Sequence, residues 1–172
     1  WIQKVDDWNG IMASVYAGMK GVMPAVIILA LAYCINTVTR EIGTAQYIIS
    51  VTESWMSPVM LPLLMFLVSA VVSFATGTSW GTYAIMVPIA LPLAYQMSGD
   101  VMSTLVVASF AAVAGGGVFG DHVSPLSDTT VLSSLGAACD HIDHVETQLP
   151  YALVVAVVAA VLYLLVGFIA AS

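Results

Sequence analysis

Apolar residues in this chain gather into runs of membrane length, separated by short polar stretches. Residues 22–38, VMPAVIILALAYCINTV, form the first run. At about 1.5 Å per residue it nearly crosses a hydrocarbon core of about 30 Å. It closes at Thr39, Arg40, Glu41 and Gly43, where adjacent opposite charges suit a headgroup boundary. Residues 58–75, PVMLPLLMFLVSAVVSFA, form the second. The polar stretch TGTSWGT, 76–82, then leads into a short apolar segment, YAIMVPIALPLAY, 83–95. Pro88 and Pro92 each remove a backbone donor there and are expected to weaken the helix.

Residues 101–119, VMSTLVVASFAAVAGGGVF, are apolar but small, and they run into GDHVSPLSDTT, 120–130, and VLSSLGAA, 131–138. CDHIDHVETQ, 139–148, reads as a surface loop. Pro150 reads as the first turn of a last transmembrane helix over 151–171, YALVVAVVAAVLYLLVGFIAA. No strand-period alternation survives along the chain. The fold expected is an all-α integral membrane protein.

Composition agrees. Of 172 residues 60% are hydrophobic and 8% charged, against about 25% charged in an ordinary soluble domain, so the lipid bilayer is the natural solvent. The formal charge of −7 reflects only three basic residues, Lys4, Lys20 and Arg40. They offer no electrostatic footprint for nucleic acid. Cys34 and Cys139 lie in or beside apolar runs, which fits buried, reduced thiols. The chain starts at Trp1 in what reads as the middle of an element, so a piece of a longer protein is expected.

Two motifs point elsewhere and lack their context. GTSWG, 77–81, matches the G-x-S-x-G elbow of serine hydrolases, with acids and histidines following in the right order. That elbow sits between a strand and a helix of an α/β sheet, which these apolar runs cannot supply. An intramembrane serine hydrolase pairing Ser79 with His122 is the enzymatic reading that remains. GGGVFG, 115–120, matches G-x-G-x-x-G but ends an apolar helix instead of following a strand. Its glycines fit close backbone approach between membrane helices better.

The two polar interruptions share a physical meaning. Irregular backbone at membrane depth is tolerated only where protein buries it or where it lines an aqueous cavity. Secondary transporters build ion sites this way, from broken helices. Asp121 and Asp128, with Ser124, Ser127, Thr129 and Thr130, supply the hard oxygens an alkali cation takes. Desolvation favours the neutral form of a carboxyl group, so one site can hold either Na⁺ or H⁺.

Plainer readings stand beside these. Asp121 also fits a helix cap, and a water-exposed loop at 120–130 would make both carboxylates ordinary. His122 fits a proton carrier, an orienter of Asp121 or a loop histidine. DHIDH, 140–144, admits a transition metal but reads better as a polar turn, pH-sensitive through His141 and His144. Trp55, Trp80, Tyr95 and Tyr151 read as interfacial anchors, with Trp80 alone inside a motif.

The stretch GDHVSPLSDTTVLSSLGAACDHIDHVETQLPYA, 120–152, resembles the signature of the NhaC family of Na⁺/H⁺ antiporters, within the larger ion-transporter superfamily. GTSWGTYAIMVPIALPLA, 77–94, and EIGTAQYI, 41–48, resemble two further blocks. Val123 stands where the family commonly has Cys, which leaves no thiol role at that position. The resemblance implies a multi-pass protein of a bacterial or archaeal cytoplasmic membrane, with residues 1–172 as its C-terminal transmembrane region and the N-terminal half absent. It implies inverted repeats, a re-entrant or broken helical hairpin over 58–97 with its tip at TGTSWGT, and a discontinuous helix over 101–139 broken around DHVSPLSD. Carried over by motif, Thr76, Thr78 and Ser79 face Asp121, Ser124, Ser127, Asp128 and Thr129 across a sodium site. The implied activity is Na⁺/H⁺ exchange, with no cofactor beyond the transported ions. Relatives with similar motifs are assigned Na⁺-coupled exchange of organic acids, malate for lactate, or of amino acids, and that is the alternative. Only Arg40 is available to clamp a dicarboxylate. Homo-oligomerisation stays open.

Overall fold

The computed structural model describes residues 7–42, 47, 50, 51 and 56–170. Helix α1 spans Trp8–Glu41 and carries the 22–38 run as one continuous segment. EIGTAQYI, 41–48, falls largely outside the described residues, as does Trp55. After a 3₁₀ turn at Pro58–Met60 come α2, Leu61–Thr76; α3, Ser79–Met97; α4, Thr104–Val123; α5, Asp128–Gly136; and α6, His141–Ala170. No strand occurs among the described residues. Three of their helical segments are long and apolar enough to cross a bilayer: Pro58–Thr76, Thr104–Val123 and His141–Ala170.

The contacts fix the directions of these helices. Gly116 and Gly120 of α4 lie against Phe66 and Ala70 of α2, so both helices advance by one turn together and run parallel. A Cβ built on Gly116 would stand 2.2 Å from the Phe66 carbonyl oxygen, and one on Gly120 would stand 2.2 Å from that of Ala70. Only glycine admits this approach. It is the small-xxx-small packing that joins helices where lipid supplies no hydrophobic drive. Ser73 Oγ adds a hydrogen bond across the seam, donating to the Gly117 carbonyl at 2.6 Å.

Two tyrosines grip α4 from its other sides. Tyr83 of α3 donates its phenol to the Ala114 carbonyl at 3.1 Å, and Tyr163 of α6 donates to that of Ala111 at 2.8 Å. Ser98 after α3 meets Ser103 before α4, and Gln148 of α6 meets His122 of α4, so residue numbers on α3 and α6 fall as those on α4 rise and both run antiparallel to it. Phe66, Phe119 and Tyr163 form an aromatic cluster where α2, α4 and α6 meet. The apolar core is made of Leu61, Met65 and Phe66 from α2, Met86, Ala90 and Leu93 from α3, and Leu105, Ala112 and Val113 from α4.

Several sequence expectations change. The prolines do not interrupt α3, which continues through Pro88 and Pro92. Buried Ala90, Leu93 and Ala94 hold the helix against its neighbours where the lost backbone bonds would loosen it. The expected loop at 139–148 shrinks to residues 137–140, and Pro150 lies inside α6 instead of opening it. The reason is Asp140, whose Oδ1 accepts from the backbone N–H of Ile142 at 2.8 Å and of Asp143 at 3.3 Å. This cap starts the helix at His141. Cys34 and Cys139 are free as expected, but both are exposed instead of buried.

Candidate functional site

The polar interruptions at 76–82 and 120–130 meet in space. At the first, α2 ends on Gly77, whose φ is 66° and whose N–H bonds the Ser73 carbonyl at 2.8 Å. A Cβ there would stand 2.8 Å from the Leu126 carbonyl carbon and oxygen. Backbone conformation and space therefore both require glycine at this tip. Thr78 caps α3, its Oγ1 accepting from the Gly81 N–H at 3.4 Å, while its carbonyl takes the Thr82 hydroxyl at 2.9 Å.

At the second, the chain leaves helix between α4 and α5, over residues 124–127. Pro125 cannot continue the hydrogen-bond ladder, and Ser124 and Ser127 satisfy the backbone that the break exposes. The buried Ser124 hydroxyl donates to the Phe74 carbonyl at 2.8 Å and accepts from the Leu126 N–H at 3.1 Å. One side chain thus ties the break to the end of α2. Ser127 Oγ pairs with Thr129 Oγ1 at 2.7 Å and accepts from the Thr130 N–H at 3.4 Å. The Thr130 hydroxyl reaches back to the His122 carbonyl at 3.2 Å.

Helix α6 clamps the same break from outside. His141 places Nε2 2.8 Å from the Pro125 carbonyl oxygen, and since a carbonyl only accepts, that nitrogen carries a proton. Its Nδ1 lies 3.2 Å from Ser134 Oγ. Gln148 donates its side-chain amide to the His122 carbonyl. Break carbonyls that have lost their helical partners are in this way taken up by side chains from neighbouring elements.

Asp121 is the exception to this satisfied network. Its Oδ1 is buried and has no hydrogen-bond partner among the described residues. A buried carboxylate oxygen left alone is costly, and it is what a cation or a proton would satisfy. The Tyr83 ring lies against Gly117, one turn before Asp121, which brings the first turns of α3 beside this part of α4.

The other sequence candidates are distributed around this point. Ser124 is buried against the end of α2, and Ser127 is buried at the start of α5. Thr76 is exposed at the tip and bonds back to the Val72 carbonyl of its own helix at 2.9 Å. Asp128 and Thr129 are exposed in the first turn of α5. His122 is exposed and lines an apolar groove of about 820 Å³ formed largely by α4 and α6, beside Gln148 and Tyr151. No hydrogen bond joins Ser79 to His122 among the described residues, so the hydrolase pair is not assembled. His144 is half-buried on α6, one turn beyond His141. Among the described residues no three His, Cys, Asp or Glu side chains converge on one point. Trp80 is exposed and meets Tyr83 edge-on at 6.0 Å.

Sequence reasoning passed over Tyr83, Gln148 and Ser73. Tyr83 follows Ser79 by one helical turn, which was the available signal. The glycine notch that receives its ring appears only once α3 and α4 are docked.

The sequence model described as the Na⁺/H⁺ antiporter family matches residues 2–168 of this chain. An uncharacterised protein of Haemophilus influenzae is 44% identical over 151 residues, covering 88% of this chain and 28% of that protein. The malate-2H⁺/Na⁺-lactate antiporter of Bacillus subtilis is 27% identical over 161 residues, 94% of this chain and 33% of its own length. The Na⁺/H⁺ antiporter NhaC of Alkalihalophilus pseudofirmus is 28% identical over 160 residues, with 93% and 34% covered. The chain thus spans about a third of the length of the curated relatives it matches. No solved structure matches it.

Proposed function

Because this chain belongs to the Na⁺/H⁺ antiporter family, we propose that it carries the ion site of a secondary antiporter, where Na⁺ and H⁺ occupy one carboxylate in turn. The observation that carries this reading is the Asp121 Oδ1, buried and without a partner among the described residues, on the last turn of α4 before the break at 124–127. In the deprotonated form Asp121 supplies the charge for Na⁺, and in the protonated form the site is neutral and Na⁺ leaves. Exclusive occupancy of this kind is the simplest coupling of opposite fluxes, since neither ion crosses on a site that holds the other.

The neighbouring oxygens fall into two groups. Ser79 and Ser124 lie on the elements that flank Asp121 and are hydroxyl candidates for the ion. Thr76 and Thr78 shape the tip, and Ser127 and Thr129 shape the start of α5. Asp128, exposed in that first turn, is the second carboxylate of the proposal, placed to attract cations toward the break. The pair α2–α3, joined at Gly77 and Thr78, is proposed as a re-entrant hairpin, and α4–α5 as the discontinuous helix facing it. This region is proposed to pair with an inverted repeat elsewhere in the full-length protein, in the cytoplasmic membrane of the cell.

A coupled organic solute is the second reading, favoured by the likeness to a relative named as a malate/lactate antiporter. One assay separates the two. Everted vesicles containing the full-length protein are energised to an acid interior, and a ΔpH-sensitive dye is followed as NaCl, KCl, malate or lactate is added. Dequenching on NaCl alone is the expected result. A response that requires malate or lactate besides Na⁺ would replace simple cation exchange with the coupled reading, and no response to any addition would defeat both.

A further inference from the structure

The aromatic ring packed on the carboxylate-bearing helix has no place yet in the ion site. Gly117 and Asp121 are one turn apart on α4, on the same face, and the Cα–Cβ bonds of a helix lean toward its N-terminus. The Asp121 side chain therefore leans over the surface that Gly117 leaves open. Tyr83 fills that surface: a Cβ on Gly117 would stand 2.4 Å from the Tyr83 Cε1. The phenol is fixed at its far end by the Ala114 carbonyl, at 3.1 Å. Ser79 opens the same helix one turn earlier.

We propose that Tyr83 is a positioning residue of the ion site: its ring in the Gly117 notch and its phenol on the Ala114 carbonyl set the spacing between the Ser79 turn of α3 and the Asp121 turn of α4. The inference rests on the assignment of Asp121 as the ion carboxylate. The phenol bonds the Ala114 carbonyl two turns before Asp121, so it anchors α3 to α4 beside the site and does not enter it. Helix α3 carries no charged side chain, so this spacing is set by an aromatic ring, a glycine and one hydrogen bond. The wedge can be altered in two independent ways. Tyr83→Phe keeps the ring and removes the bond to Ala114, whereas Gly117→Ala keeps the phenol and pushes the ring outward.

The test uses vesicles containing the full-length protein, with the Na⁺ concentration giving half-maximal response and the maximal rate measured separately. Tyr83→Phe is expected to raise the half-maximal Na⁺ concentration about fivefold at little cost in maximal rate, the size that loss of one hydrogen bond gives. Gly117→Ala is expected to raise it further. A merely structural role would lower the amount of inserted protein and the maximal rate while leaving the Na⁺ dependence alone. Wild-type Na⁺ dependence in Tyr83→Phe overturns the inference, whether or not Gly117→Ala inserts. Asp121→Asn, run in parallel, keeps the two claims apart: retained Na⁺ dependence there would remove the ion-site assignment itself, and Tyr83 with it.

Discussion

Asp121→Asn in the full-length protein is expected to abolish Na⁺-driven proton movement while leaving the protein in the membrane. Asn preserves the shape of the side chain and can neither take up the exchanged proton nor supply the charge for Na⁺. Breaking a buried charge contact costs about 3 kcal/mol or more, so the rate at a fixed, subsaturating Na⁺ concentration should fall by about a hundredfold or beyond. Asp128→Asn should give a smaller loss, because that carboxylate is exposed at the start of α5 and water already screens it. Wild-type exchange in Asp121→Asn, or a loss in Asp128→Asn larger than in Asp121→Asn, would move the ion away from the turn where the unpartnered oxygen lies.

The second large effect concerns the seam that holds this turn in place. Gly120→Ala puts a methyl group 2.2 Å from the Ala70 carbonyl oxygen and 2.7 Å from the Phe74 nitrogen. Both are backbone atoms, which no change of rotamer can move aside. Helices α2 and α4 must separate, and with them the hydrogen bond from Ser124 to the Phe74 carbonyl. Overpacking of a close-packed contact costs about 1–3 kcal/mol and sometimes more, and a backbone contact belongs at the upper end. Loss of folded full-length protein in detergent, or a large drop in its melting temperature, is the expected result. Gly136→Ala is the control, since nothing lies within 4 Å of the added Cβ there. Equal melting temperatures for Gly120→Ala and Gly136→Ala would show that the seam is looser than described.

What the sequence disclosed, and what it withheld, follows from the range of each interaction. The break at 124–127 was legible because Pro125 and its flanking serines act on their own backbone, within a few residues. The tip at Gly77 and Thr78 was legible for the same reason. The start of α6 was misplaced by nine residues, although Asp140 is a local cap. Pro150 drew attention as a helix opener, and the polar DHIDH stretch was read as loop when it is the first turn of a helix. Pro88 and Pro92 misled in the opposite direction, because the packing of Ala90, Leu93 and Ala94 offsets the lost backbone bonds and that packing is a tertiary property. GGGVFG signalled close approach but not its partner. That α2 runs parallel to α4 in the register of Phe66 with Gly116 requires two segments about fifty residues apart to be docked. Tyr83 escaped for the same reason, as its importance lies in a notch on another helix.

Na⁺ and H⁺ are proposed to exclude each other at Asp121. The most direct measurement is the release of protons from purified full-length protein in weakly buffered solution when NaCl is added, with choline chloride as the ionic-strength control. Release with NaCl is expected from the wild-type protein and none from Asp121→Asn. Release of the same size from Asp121→Asn, or no Na⁺-specific release from the wild-type protein, would contradict it.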